Sequence, residues 1–113
     1  MNIEADYIGS SFELSKPIGK MAWTKAMSAS WPDSWRMPTR GELVTLFDES
    51  VEAGHKFADK SLVWSASSYS PPVPPNAWIV KFSNGSSVTY SKSNWGAVRL
   101  VREVKKPQKS EEQ

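Results

Sequence analysis

Tyr90-Ser91-Lys92-Ser93-Asn94-Trp95 is the run of this sequence whose residue types best suit recognition chemistry. Tyrosine and tryptophan rings supply contact area at small entropic cost, while serine and asparagine supply adaptable hydrogen bonds, as in many paratopes. Tyr69, in a serine- and proline-rich stretch, is a residue of the same kind. Lys81 and Lys92 add positive charge, and with Arg99 and Arg102 they define a lesser, polyanion-binding reading. The chemistry expected is non-covalent binding of a protein partner or a surface glycan by Tyr69, Lys81, Tyr90, Ser91, Lys92, Ser93, Asn94 and Trp95. The competing reading is that Trp95 caps the core and the other residues are ordinary loop.

Covalent chemistry has fewer candidates. The chain has no cysteine, so disulfides, cysteine zinc sites and thiol nucleophiles are excluded, and its single histidine, His55, has no carboxylate at an obvious orienting spacing. The serine-rich stretches contain neither a Gly-x-Ser-x-Gly elbow nor a helical Ser-x-x-Lys. Asp48, Glu49, Glu52 and Asp59 are rich in oxygen but lack the Asp-x-Asp-x-Asp-Gly spacing of a calcium loop. No enzyme, cofactor or metal is expected. With 14 Lys+Arg against 12 Asp+Glu the formal charge is +2, too balanced for nucleic acid to be the first partner to consider. No apolar run approaches the roughly 18 residues of a membrane span, and the acidic start does not resemble a secretory signal. The expectation is a protein without membrane insertion, cytoplasmic in a host cell or associated with a virion.

The elements that must position these residues can be read from periodicity and punctuation. In Trp35-Arg36-Met37-Pro38-Thr39-Arg40-Gly41-Glu42-Leu43, Pro38 biases Met37 towards extended backbone and Thr39 can cap a helix with Glu42 reaching back to it. Leu43, Leu46 and Phe47 follow at helical spacing, so a helix is predicted over about 39–50. Trp23, Ala26, Met27 and Ser30 predict an earlier helix over about 20–30. Short strands are expected at Tyr7-Ile8 and Phe12-Leu14, and a buried one at 62–66. A loop with four prolines is expected over 67–76. Strands over 77–83 and 86–90 flank Asn84-Gly85, the signal for a type I′ hairpin, and Trp78, Val80 and Phe82 share a face. A last strand over 95–102 puts Arg99 and Arg102 on opposite faces, one pairing with a helix carboxylate and the other solvated.

These blocks resemble the Lcl-type C-terminal domain family, named for a collagen-like bacterial adhesin and common in phage-derived proteins. The family pattern is a Trp-bearing helix, a W-R-L-P-T-x-x-E-L block, a W-S-S-S-like strand, an A-W-x-V-x-F-S-x-G hairpin and a V-R-x-V-R strand. Here Trp23, Trp35 to Leu43, Trp64 to Ser68, Ala77 to Gly85 and Val98 to Arg102 follow in that order, over about residues 19–103. The resemblance implies a C-type-lectin-like fold and a binding module, in some members an adhesin for sugars or glycosaminoglycans. Pro75-Asn76 lacks the carboxylate of the Glu-Pro-Asn and Gln-Pro-Asp pairs that hold calcium in animal C-type lectins.

The expectation is an α+β, C-type-lectin-like domain over residues 1–103, with two helices packed on a small twisted antiparallel sheet and a disordered charged tail over 104–113. Trp35, Arg36, Pro38, Thr39, Glu42, Trp64 and Trp78 are read as its structural signature. Standing alone without a collagen-like stalk, such a domain is expected to act as a phage- or prophage-encoded accessory that binds and inhibits a host protein. A glycan- or receptor-binding role, or a structural place in a phage tail or adhesin, is the second expectation.

Overall fold

Short alternating and capped segments produce ten elements among the described residues, 3–68 and 76–104 of the computed structural model. Strands β1 (Ala5–Ile8), β2 (Phe12–Ser15) and β3 (Gly19–Ala22) precede helices α1 (Trp23–Ser28) and α2 (Arg40–Glu52). Strands β4 (Leu62–Ser68), β5 (Asn76–Lys81), β6 (Ser87–Ser91), β7 (Trp95–Val98) and β8 (Val101–Glu103) follow. The start of α2 is the capping box read from the sequence. The Glu42 N–H donates to the Thr39 hydroxyl at 3.1 Å and the Thr39 N–H donates to the Glu42 carboxylate at 2.9 Å. Two backbone donors that a helix start leaves open are thereby satisfied.

The fold is α+β, but with two sheets where a single antiparallel one was expected. A three-stranded sheet has the order β1-β2-β8, and a five-stranded sheet the order β3-β7-β4-β5-β6. All pairs are antiparallel except β4 with β7, which is parallel at Val63 and Ala97. The predicted last strand therefore splits into β7 and β8. Between them Leu100 exchanges backbone and hydroxyl hydrogen bonds with Ser15, 2.8 Å each way, and this carries the chain from the large sheet onto β2.

The helix predicted over 20–30 shrinks to the six residues of α1. Gly19 to Ala22 instead pair one by one with Val98 to Trp95. A one-and-a-half-turn helix without a side-chain cap is weak in isolation, and a complete strand pairing outweighs it. The Asn84-Gly85 turn is also wider than the expected type I′. Of the two residues only Gly85 has positive φ, at 83°, and the Lys81 carbonyl accepts from both Asn84 and Gly85. Turning across 82–85 leaves Phe82 buried against Phe47 and Phe57.

The five-stranded sheet is covered on both faces. Val63, Val80, Phe82 and Ala97 join Leu43, Leu46 and Phe47 of α2, with Leu14, Phe57 and Val101, in one cluster. Trp64, Ala77, Ile79 and Val98 join Ile3, Ala26, Trp35, Met37 and Leu100 in the other. Trp78, Val80 and Phe82 alternate as expected, Trp78 only half-buried, but Ala77 and Ile79 behind them are fully buried.

Arg99 and Arg102 both pair with carboxylates of the small sheet, not with a helix and solvent. Arg99 is 1% exposed, bonded to Asp6 of β1 at 2.8 Å and to the carbonyls of Ser15 and Asp59, with its guanidinium 4.9 Å from both the Phe57 and Phe82 rings. Arg102 bonds to Glu13 of β2 at 3.3 Å and lies over the buried Trp35 ring. The two residues flank the crossing between sheets, where the nearest acids belong to β1 and β2.

Candidate functional site

Strand alternation places Trp95 outside. A Cβ on Gly96 would come within 2.8 Å of the Trp64 indole, so Gly96 faces the core cluster and its neighbour Trp95 faces away, 69% exposed. Trp64 in turn is anchored by an Nε1 hydrogen bond to the Met21 carbonyl at 2.8 Å, and the half-buried Tyr90 ring packs on it with centroids 5.6 Å apart.

Between Tyr90 and Trp95 the chain turns tightly. Asn94 N–H donates to the Ser91 carbonyl at 3.0 Å, Ser93 N–H donates to the Ser91 hydroxyl, and the two serine hydroxyls are 2.9 Å apart. The Lys92 carbonyl accepts from the Trp23 N–H at 3.3 Å, and its ammonium lies 4.2 Å from the centre of the Trp23 ring. Trp23 is fixed from below by its Nε1 hydrogen bond to the Ser65 carbonyl at 2.8 Å. The result is a corner with one free indole, one ammonium held over a second indole, and three small polar side chains. It can present apolar area, a cation and hydroxyl and amide hydrogen bonds, with most of its backbone already ordered.

Of the predicted binding residues, the structure brings Tyr90, Ser91, Lys92, Ser93, Asn94 and Trp95 together. Lys81 is elsewhere. It pairs with Leu62 at the far end of β5, while Asn76 at the near end pairs with Ser91, a separation of roughly 16 Å along the strand. Its distance follows from the direction of the hairpin, which residue type alone does not reveal. Of the loop expected over 67–76, residues 69–75 with Tyr69 lie outside the described residues, as does the tail from residue 105. The ends of that loop are strand instead: Ser67 and Ser68 end β4 and Asn76 starts β5, because Ser68 pairs with Ala77 and Asn76 with Ser91. Trp23 belongs to the corner and was missed, because its spacing read as the core face of a helix. The Ala22 to Trp95 strand pairing is what brings it there.

The signature residues hold the frame. Trp35 and Trp64 are buried, and the Pro38 carbonyl accepts from Ala66 N–H at 2.6 Å. Trp78 is half-buried with the Arg40 guanidinium 4.3 Å over its ring. Arg36 clasps Glu42 through two 2.8 Å hydrogen bonds. The clasp raises Arg36 and, with the Thr39 cap adding to it, holds the Glu42 carboxyl below the usual glutamate range. Asp59 is likewise lowered, by hydrogen bonds from the Ser61 hydroxyl and N–H. His55 packs between the Tyr7 and Phe57 rings, with Nε2 3.5 Å from Asp6 in poor hydrogen-bond geometry.

A concavity lies on the small-sheet side, an open cleft of ≈ 650 Å³ lined by Glu13, Asp33, Ser34, Arg36, Arg102, Glu103 and Val104. Asp33 and Ser34 at its rim both have positive φ, 58° and 68°. No described helix is long and apolar enough to cross a membrane.

Residues 15–102 match the Lcl C-terminal domain. The chain belongs to the Lcl C-terminal domain family. The match takes in all described elements except β1, most of β2 and the last residue of β8, so the candidate corner lies within the family's own domain. No curated protein matches the chain in sequence.

Proposed function

We propose that this Lcl-family domain is a non-enzymatic binding module, C-type-lectin-like in fold, encoded by a phage or prophage as an accessory that binds and inhibits a host protein. The observation that carries the binding reading is Trp95. A large indole 69% exposed beside the Lys92–Trp23 stack gives the surface a rigid aromatic anchor with polar neighbours. The supports for Trp95 come from the domain itself, Gly96 and the Ala22 pairing, so its exposure requires no rearrangement on binding. Phage origin and a host target rest on the family resemblance.

A second reading is favoured by the cleft beside Arg102. Guanidinium and carboxylate groups line it together, and such a mixture can hydrogen-bond the hydroxyls of a surface glycan on an adhesin or a phage tail.

One experiment separates them. Tagged wild type and the Trp95→Ala variant are incubated with host lysate and, in parallel, with a glycan array. The first reading expects one host protein captured near stoichiometrically by wild type and lost with Trp95→Ala, at a cost of ~2 kcal/mol or more in a follow-up titration. Glycan signal unaffected by Trp95→Ala, with no stoichiometric protein, removes it in favour of the second.

A further inference from the structure

We propose that β6 is a homodimerisation edge, on which a second copy of this chain adds its own β6 antiparallel about a two-fold axis through Thr89. The inference is independent of what the Trp95 corner binds. Exposed sheet edges invite foreign strands, and proteins normally blunt them with charges, bulges, cover or brevity. Among the described residues the two sheets have four edges, and three of them are blunted. β1 has a bulge between Ala5 and Tyr7 and carries Asp6 within it. β8 is bridged on its free side by Arg36, through Val101. β3 carries Lys20 and runs directly into α1. β6, Ser87-Val88-Thr89-Tyr90-Ser91, has no charge, no proline and no bulge, and each of its residues is half-buried.

The ladder determines what this edge offers. Lys81 N–H donates to the Ser86 carbonyl, so on β6 the inward-bonding positions continue at Val88 and Tyr90. Ser87, Thr89 and Ser91 then aim their backbone groups outward. The Ser91 carbonyl also closes the Asn94 turn, which ends the edge there.

The sequence of this edge is complementary to itself. With Thr89 facing Thr89 of the second copy as a hydrogen-bonded pair, Ser87 faces Ser91 and Val88 faces Tyr90. The Val88–Tyr90 pairs fall at the non-hydrogen-bonded positions, where side chains approach most closely and an aromatic beside a β-branched residue stabilises the pairing. No charge meets a like charge along the strand. A symmetric contact of this kind closes on itself and stops at the dimer, joining two five-stranded sheets into one.

Because the chain has no cysteine, a single introduced thiol reports the register. In the proposed pairing two Thr89→Cys chains have Cα atoms about 5.5 Å apart, within disulfide range. Two Ser87→Cys chains have them separated by roughly 13 Å along the strand. Under mild oxidation Thr89→Cys is expected to form a species of twice the 12.6 kDa chain mass at least ~10-fold faster than Ser87→Cys. Wild type should shift from monomer to dimer in sedimentation as concentration rises to about 0.5 mM. Thr89→Lys and Thr89→Glu should each be monomeric with unchanged circular dichroism, and should dimerise when mixed. Equal cross-linking rates, or wild type monomeric throughout, overturn the proposal. A monomer whose Thr89 amide is protected from exchange only by a host protein also overturns it, and assigns the edge to a foreign strand.

Discussion

Replacing Arg99 is expected to cost the domain more stability than any exposed charge would. The side chain is 1% exposed, carries hydrogen bonds to Asp6, Ser15 and Asp59, and fills the space between Phe57 and Phe82. Arg99→Met keeps much of the volume but leaves the Ser15 and Asp59 carbonyls without this donor and Asp6 without its cation. Removing one partner of a buried pair typically costs ~3–5 kcal/mol. Asp6 keeps a 20% exposed side chain, so water can partly re-solvate it, and we expect the lower part of that range, ~3 kcal/mol. At roughly 4 °C per kcal/mol for a domain of this size, the melting midpoint should fall by about 12 °C. Asp6→Asn should cost less, ~1–2 kcal/mol, because Arg99 retains both carbonyls. Urea unfolding of the two single variants and the double variant would give the coupling directly. A loss below ~1 kcal/mol for Arg99→Met would refute the account, since it would mean the guanidinium does no more than an apolar filler. The same burial removes Arg99 from any polyanion-binding surface.

Gly85→Ala should destabilise by ~1–3 kcal/mol in thermal melts, because φ is +83° and the added Cβ would sit 2.6 Å from the Phe47 ring. Glu42 has a folded-state pKa below its ordinary value of 4.5, so its contribution is present above that value and is lost as pH falls through the lower folded one. Denaturation midpoints measured from pH 6 downward should therefore decline in acid, and Glu42→Gln should flatten that decline. Trp95→Ala should leave the melting temperature nearly unchanged while Tyr90→Ala lowers it, since only Tyr90 packs on Trp64. Equal losses for the two would place Trp95 in the fold's support.

The α2 start was legible because a capping box and its apolar spacing lie within nine residues of sequence, and local hydrogen bonds suffice to form it. The alternation of 77–83 was legible because successive strand residues point to opposite faces, a period visible within the segment itself. Gly19 to Ala22 was not, since its strand character comes from Val98 to Trp95, far along the chain. The same pairing carries Trp23 to the corner. Residue types identified the Tyr90–Trp95 run, but Lys81 was grouped with it by charge, and only the hairpin's direction separates them. The second sheet was hidden because Arg99 and Leu100 read as ordinary strand residues, whereas their partners lie on β1 and β2.

The pairing of β2 with β8 has a consequence for how the molecule is made. Phe12 meets Glu103 and Leu14 meets Val101, so an early hairpin finds its third strand only among the last described residues. β3 waits in the same way for β7. On the ribosome β2 and β3 must stay unsatisfied until β7 and β8 have emerged, and closing such long loops is slow. A pause or truncation before Trp95 would leave the β1–β2 hairpin without β8 and β3 without β7, so synthesis of this small domain should yield either the complete fold or none of it.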